Sequence, residues 1–361
     1  TNPTTFVNHS GHAVCPIHGV PGHRIAATNP SFCPDFVRAL ASGTYHPPTT
    51  ECRDKLPTFT DCTVLSRGLF AYGYSCQHHG QTVVLKRNLH PARYKYDQDE
   101  ATVLCQMTLL RHFNISDNMM GIHDFFSCGQ SEVESFVQGS AVPERMGPIK
   151  GGTFLALELA TKPKMRMVSE VQIFELVYLL LASYVVLRIT VTDLWVRHLF
   201  MHKVDYHRLY TVGNASILIP ATALTLRLID ASSHEHHFYK SVIHLLRSAN
   251  YHWLFFKHEL THRADTLGAT LVNSGKSLMK WTKTEPFMHM SPEQGLEHLV
   301  RHMEGRGYGF KSTDPLPDNT RCYTIPSTIE GRMEVMQHWG DMEGYHWYKS
   351  KKYIDPSTTH P

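Results

Sequence analysis

The stretch that decides the fold runs from Arg188 to Phe200, RITVTDLWVRHLF. A long apolar run precedes it, a single carboxylate at Asp193 stands near its centre, and an apolar pair, Leu199 and Phe200, closes it. This pattern is typical of a strand, a loop and a second strand that together present one acid at the mouth of a cleft. The stretch therefore predicts a functional carboxylate at position 193.

A second strand-end carboxylate is Asp230, which closes the apolar run LRLID that begins at Leu226. Upstream, the apolar strand that begins at Val83 ends in Lys86. Two carboxylates can hold a divalent metal ion on a triphosphate, and a lysine can neutralise phosphate oxygens. The lysine and the two acids together predict phosphoryl-transfer chemistry.

The composition is that of a soluble globular protein, with 42% hydrophobic and 19% charged residues. At 361 residues the chain can bury one large core or two lobes. The net charge is only +3, and the lysines and arginines are scattered, which argues against a nucleic-acid partner. The 26 histidines make the surface charge sensitive to mild acid.

The cysteines are widely spaced, at positions 15, 33, 52, 62, 76, 105, 128 and 322. Their even number permits disulfides, but the long chain and the lack of a visible signal peptide predict mostly reduced thiols in an intracellular protein. Three Asn-x-Ser sequences, at Asn8, Asn114 and Asn214, match the N-glycosylation pattern. That pattern carries weight only in a secreted chain.

Residues 1–60 are rich in Pro, Gly, Thr and His and lack apolar periodicity, which predicts an irregular arm. The arm carries residues that suit tetrahedral zinc, namely His9, His12, Cys15, His18, His23, Cys33, His46 and Cys52. A second clean half of a zinc motif is missing, so a plain loop is the alternative interpretation.

Local patterns predict the main helices and strands. Residues 62–90 predict three strands separated by glycine-containing turns. Further along, the patterns predict a helix over Asp99–His112, strands over Ile122–Phe126 and Thr153–Leu159, a polar loop over 129–152, and a loop-rich tail over 305–361. The strongest helix is Ser169–Leu187, with Ser169 and Gln172 as capping residues. Its uninterrupted apolar part is shorter than the roughly 20 residues that cross a bilayer, so we expect a buried core helix.

In this order the elements resemble the protein kinase family. Residues 65–73 resemble the glycine-rich loop, with Gly68 as its middle glycine, Phe70 as the aromatic residue at its tip, and Ser66 and Ala71 in place of the flanking glycines.

Four further positions carry the resemblance. Lys86, at the end of its strand, resembles the lysine that contacts phosphate, and Glu100 stands where the family's helix glutamate pairs with that lysine. Leu157 and Glu158 stand at the gatekeeper and first hinge positions.

Asp193 stands in the catalytic-loop position and Asp230 in the metal-aspartate position of the family. The long segment between them resembles the elaborated hairpin of haspin-like kinases. Similar kinase-like proteins occur in large DNA viruses, where Asp-Leu-x-x-Arg-Asn recurs, and here that string ends in Arg197 and His198. The resemblance covers about residues 62–240.

The sequence also departs from the family pattern. Val191 and Thr192 replace the loop histidine and arginine, Trp195 stands where many members carry a lysine, and Ala231 replaces the phenylalanine of the metal motif. His198 replaces the asparagine that holds a second metal ion, and magnesium prefers oxygen ligands. These losses favour a weakened or inactive kinase.

The resemblance implies an α+β, bilobal fold, with an N-terminal arm (1–60), a small β-rich N-lobe (61–162) and a larger helical C-lobe with a loop-rich tail (163–361). It implies a viral-type serine/threonine kinase-like protein that transfers or binds the γ-phosphate of ATP between the lobes. The alternative is an inactive pseudokinase that serves as a scaffold or structural virion component.

The resemblance also assigns roles. Lys86, Glu100 and Asp193 would be catalytic, and Asp230 and His198 would hold magnesium or manganese. The nucleotide would contact Gly68, Phe70, Lys86, Leu157 and Glu158. The partners would be nucleotide and a protein substrate or a viral or host protein, with no nucleic acid and no membrane span. The location would be the host cytoplasm or nucleus, or a virion.

Overall fold

The computed structural model describes residues 32–41, 51–68, 71–89, 94–139, 151–160, 169–187, 189, 199–228, 290–311 and 313–338. Within these ranges the fold is α+β, as predicted. The helices are α1 (Phe32–Ala41), α2 (Glu51–Lys55), α3 (Tyr94–His112), α4 (Gln130–Gly139), α5 (Glu170–Leu187), α6 (Pro292–Met303) and α7 (Ile329–Gln337). The strands are β1 (Phe59–Arg67), β2 (Ala71–His78), β3 (Gln81–Asn88), β4 (Ile122–Cys128), β5 (Gly152–Glu158), β6 (Leu199–His202), β7 (His207–Val212), β8 (Ala215–Ile219), β9 (Thr225–Leu228) and β10 (Thr320–Thr324).

Five strands form an antiparallel sheet in the order β1-β2-β3-β5-β4. The three strands predicted over 62–90 are confirmed. β2 and β3 are joined by His79 and Gly80, whose φ angles of 47° and 76° suit the tight type I′ turn of a two-residue hairpin loop. Side chains alternate along β3, so Val83 and Leu85 are buried on one face while Lys86 projects from the other.

Both faces of this sheet are covered. One face contributes Leu155 and Leu157 to the larger core, together with α3, α1 and α5. The other face forms a smaller core with α2 and α4, in which Val133 and Val137 pack with residues such as Tyr74. Each buried side chain of this size stabilises the fold by roughly 1.5–3 kcal/mol.

Helix α4 corrects the prediction of a polar loop over 129–152. Val133 and Val137 stand four residues apart, on one side of the helix, and both are buried. Phe136 also packs against the smaller core, so Val133, Phe136 and Val137 follow a helical spacing that the loop prediction missed. A short polar helix with only three apolar residues depends on the sheet face beneath it for stability.

Helix α5 is the centre of the larger core, and the predicted helix over Ser169–Leu187 is confirmed. The Ser169 amide donates to Gln172 Oε1 at 2.7 Å, which satisfies one free backbone donor at the start of the helix. Among the helices that the structure describes, α5 alone has the length and apolar composition of a membrane span. Its mean hydropathy is 1.7, and 94% of that stretch is buried inside the protein.

Two small sheets complete the larger core. β6 and β9 pair antiparallel, with Leu199 opposite Leu228. β7 and β8 form a hairpin, and β10 adds to it parallel to β7. The tail predicted as loop-rich over 305–361 thus supplies both a strand, β10, and a helix, α7.

Disulfides correct the prediction of reduced thiols. The structure pairs cysteines across different elements: Cys33 of α1 with Cys105 of α3, Cys52 of α2 with Cys128 of β4, and Cys62 of β1 with Cys76 of β2. Cys322 is disulfide-bonded as well, so none of the cysteines in the described ranges is free. Spacing along the chain could not reveal these pairs, since the first two join residues 72 and 76 positions apart.

The structure also differs from the predicted irregular arm over 1–60. Helices α1 and α2 lie within it, and β1 begins at Phe59. Phe36 and Val37 of α1 are buried in the larger core. The rest of this arm lies outside the described residues.

Candidate functional site

Lys86 and Glu100 meet as the sequence predicts. Lys86 Nζ donates to both oxygens of the Glu100 carboxylate, at 2.6 and 2.9 Å. The side chains are 22% and 12% exposed, so the pair is largely shielded from water yet still reachable. A bidentate, partly desolvated ion pair fixes the ammonium group in one position, which is what recognition of an anionic ligand requires.

The position of Lys86 follows from the sheet. It pairs with Gly73 of β2 on one side and with Leu155 of β5 on the other, near the middle of the five-stranded sheet. Glu100 lies on α3, where the next turns bury Leu104 and Cys105 completely against the larger core. Both partners are therefore carried by rigid elements rather than loops.

Strand β2 begins at Ala71, opposite Asn88, and its third residue, Gly73, lies opposite Lys86. The Gly68 amide donates to the Ala71 carbonyl at 2.8 Å and closes the turn, while Phe70 lies outside the described residues. A side chain at Gly73 would come within 2.6 Å of the Ser66 hydroxyl oxygen, which explains the glycine at that position. Leu65 of β1 is 52% exposed, one of the two large apolar side chains in the described ranges that face solvent.

Leu157 and Glu158 end β5, but neither side chain faces an open space. Leu157 is buried in the larger core opposite Val84. The Glu158 carboxylate is only 11% exposed and lies 2.8 Å from Arg111 Nη1 and 3.1 Å from Arg227 Nη1. The main chain of Glu158 is engaged as well, since its amide donates to the Gly121 carbonyl at 3.0 Å.

The Glu158 cluster joins three elements, because Arg111 lies on α3 and Arg227 on β9. Burial raises the pKa of the Glu158 carboxyl, but the two guanidinium groups and the Gly121 amide outweigh burial and hold this pKa below its usual value. Gly121 has no room for a side chain, since a Cβ would come within 2.9 Å of Arg111 Nη1 and 3.0 Å of the Glu158 carboxylate. Apart from Glu158 itself, no pattern in the sequence indicated this cluster.

Asp193, His198 and Asp230 lie outside the described residues. The strands nearest to them in the chain are described. β6 begins with Leu199, directly after His198, and β9 ends at Leu228, two residues before Asp230. These two strands pair antiparallel, with Leu199 opposite Leu228. The larger core thus holds together the two chain segments that the sequence predicts to share a site.

Metal sites are not evident where the structure is described. Across those ranges, no three His, Cys, Asp or Glu side chains are grouped as metal ligands would be. Of the predicted zinc ligands, Cys33 and Cys52 are engaged in disulfides, which removes both thiolates from a zinc set. The other zinc candidates lie outside the described ranges.

A buried polar network surrounds Glu175 in the middle of α5. Arg208 Nε donates to Glu175 Oε1 at 2.7 Å, and Thr225 Oγ1 and the Leu226 amide donate to Oε2, both at 3.0 Å. Glu175 and Arg208 are both fully buried. A lone acid inside a long apolar helix was the one sequence signal for this network. The network fastens the β7–β8 hairpin and β9 to the core helix.

A separate cleft of about 480 Å³ lies on the far side of the five-stranded sheet, next to α2 and α4. It is lined by residues such as Leu56, Phe59 and Phe136, and of the predicted site residues it contains only Cys52, which is engaged in a disulfide. We therefore place the candidate site at the Lys86–Glu100 pair.

No family model and no curated protein sequence matches the chain. Its assignment to a class of proteins therefore depends on the fold and on the geometry of the site.

Proposed function

We propose that the chain is a bilobal protein-kinase-like protein that binds a nucleoside triphosphate between a β-rich N-lobe and a helical C-lobe. The observation that carries this proposal is the bidentate Lys86–Glu100 ion pair, which joins a central strand to the helix that follows it. A largely shielded ammonium group held by a carboxylate suits the oxygens of an α- or β-phosphate.

The arrangement of strands and helices supports the same proposal. The helix with Glu100, α3, lies between β3 and β4 in the chain and packs against the five-stranded sheet. The β6–β9 pair then brings together the two segments that continue into the predicted acids Asp193 and Asp230. The β7–β8 hairpin between β6 and β9 accounts for the unusual length of chain between those acids.

Lys86 would neutralise phosphate oxygens, and Glu100 would hold its ammonium group in place. Asp193 would orient a substrate hydroxyl and accept its proton, and Asp230 with His198 would hold a divalent cation. Such a cation, when bound, neutralises charge on the triphosphate. The exposed Leu65, on the strand that leads into the glycine-containing loop, offers an apolar surface for a nucleobase.

An inactive pseudokinase is the second candidate, and a specific observation favours it. His198 replaces an oxygen ligand by imidazole, and Thr192 and Ala231 replace two further residues of the family pattern. A protein of this kind would bind nucleotide without transferring phosphate, and it would act as a scaffold for a viral or host protein.

The test is a thermal-shift titration of the full chain with ATP, with magnesium, with manganese and without metal. We expect ATP to raise the melting temperature of the wild type and the K86M substitution to abolish that rise. The matched control is K55M. Lys55 makes an ion pair of similar length, 2.8 Å, with Asp124 in the same lobe, and neither belongs to the predicted site. K55M should keep the response to ATP.

Phosphate transfer separates the two candidates. Transfer from γ-labelled ATP that D193N abolishes, with nucleotide binding intact, identifies an active kinase. ATP binding that depends on Lys86 without any transfer identifies the pseudokinase. A wild type that does not respond to ATP with either metal, or equal responses in K86M and K55M, would refute nucleotide binding at this site.

A further inference from the structure

All seven cysteines in the described ranges are disulfide-bonded. Three of the bonds lie in and around the five-stranded sheet, and they join α1 to α3, α2 to β4 and β1 to β2. Stable disulfides form in oxidising compartments such as the lumen of the endoplasmic reticulum and are rare in the cytosol. The disulfides overturn the prediction of reduced thiols and remove the cysteine argument for an intracellular chain.

The same compartment is where asparagine residues in Asn-x-Ser sequences receive glycans, so the three matches in this chain gain weight. Asn214, in the sequence Asn214-Ala215-Ser216, lies in the tight turn between β7 and β8. Gly213 precedes it with a φ of 59°, as the first central residue of a two-residue hairpin loop of the II′ type often has.

The side chain of Asn214 is free to carry a large group. Asn214 is exposed, while the next residue, Ala215, is fully buried in the core. The Asn214 amide makes no hydrogen bond to any residue that the structure describes, whereas Ser216 is held by Thr211 and Glu304. A glycan on Asn214 would thus extend from the tip of a hairpin without displacing any packed group.

Asn114 offers a contrast within the same protein. It is only partly exposed, its φ is 51°, and its carbonyl accepts the Thr324 amide at 3.1 Å. Ile115 and Ser116, which complete its Asn-x-Ser sequence, are both fully buried. A glycan at Asn114 would have to fit where α3 turns into the core, so this position is not suited to one.

We propose that the protein folds in the secretory pathway of a eukaryotic cell and carries an N-linked glycan on Asn214. In the reaction, Asn214 Nδ2 forms a bond to the anomeric carbon of a lipid-linked diphospho-oligosaccharide. The bond from that carbon to the diphosphate oxygen breaks, Nδ2 loses a proton, and the lipid diphosphate leaves. This inference does not depend on the proposed nucleotide site.

The experiment expresses the complete natural reading frame that contains this chain in eukaryotic cells, with no targeting segment added. The purified protein is treated with peptide:N-glycosidase F in ¹⁸O-labelled water, and its peptides are examined by mass spectrometry. Because the enzyme converts a glycosylated asparagine to labelled aspartate, the readout is specific for each position. We expect label at position 214 and none at position 114.

Substitutions test the assignment by gel mobility. N214Q and S216A should each remove one glycan, while S216T, which keeps the Asn-x-Ser/Thr pattern, and N114Q should migrate like the wild type. Unlabelled Asn214 in the wild-type protein would overturn the proposal, as would label at Asn114 alone. Free thiols at the described cysteines of the unreduced protein would overturn it as well.

Discussion

Replacing Arg208 by methionine should destabilise the protein strongly, because it leaves the Glu175 carboxylate buried without its cation. The Arg208–Glu175 pair has an N–O distance of 2.7 Å, and both side chains are completely buried. Two unit charges 4 Å apart attract each other by about 4 kcal/mol at an effective dielectric constant of about 20. Removing one partner of a buried pair typically costs about 3–5 kcal/mol. R208M should therefore lower the free energy of unfolding by about 3–5 kcal/mol.

The loss in R208M should depend on pH, and the sign follows from the Glu175 pKa. Burial already raises this pKa, and Arg208 opposes that rise. Without Arg208 the folded-state pKa rises further above its unfolded value of about 4.3. The penalty for the buried charge is then fully present above the folded-state pKa, decreases as the pH falls from that value towards the unfolded pKa, and is absent below the unfolded pKa. The deficit of R208M should therefore be larger at pH 8 than at pH 5.

The assay is urea unfolding of the disulfide-intact protein at both pH values, followed by tryptophan fluorescence and circular dichroism. The double variant E175Q/R208M removes both charges and keeps an oxygen that can accept from the Leu226 amide. At pH 8 the double variant should be less destabilised than R208M. Its free energy of unfolding should lie about 1–2 kcal/mol below that of the wild type. A surface control is R301M, whose exposed pair with Glu297 contributes about 0–1 kcal/mol.

Two results would refute this reasoning. One is an R208M variant no less stable than R301M, which would mean that the buried charge of Glu175 is compensated without Arg208. The other is a deficit that is the same at both pH values and in the double variant, which would mean that lost packing rather than an unpaired charge causes it.

Three further predictions concern stability. Burial lowers the pKa of His123, whereas the unfolded residue binds a proton below about pH 6.5, so the free energy of unfolding should fall as the pH drops below about 6.5. H123Q should reduce this pH dependence in urea titrations, and an unchanged slope would contradict the prediction. The C62A/C76A variant removes a disulfide between cysteines 14 positions apart, and its free energy of unfolding without reductant should be about 2–4 kcal/mol lower than that of the wild type. If the variant is also less stable than the reduced wild type, the loss has a cause other than the missing disulfide. G121A should lower the melting temperature in differential scanning calorimetry, since its Cβ would displace the buried Arg111–Glu158 pair. G139A, at the end of α4 with no heavy atom within 4 Å of the added Cβ, should be less costly, and equal losses would rule out that clash.

Local sequence patterns determined the elements that carry the candidate site. The glycine-separated strands over 62–90 follow from residues that are close in the chain, as does the apolar helix α5. The contact between Lys86 and Glu100 could be expected because the two residues stand where the resemblance to protein kinases places a strand lysine and its helix glutamate. The periods of strands and helices are local properties, and a sequence displays them directly.

Only the tertiary structure decided which distant side chains meet. The disulfide between Cys33 and Cys105, like the Glu158–Arg227 ion pair, joins positions far apart whose spacing carries no period. Helix α4 depends on the sheet face beneath Val133, Phe136 and Val137, because three apolar residues at helical spacing do not stabilise so short a helix alone. Such pairings depend on how the elements pack, and packing is set by burial and geometry summed over the whole chain rather than by any one segment.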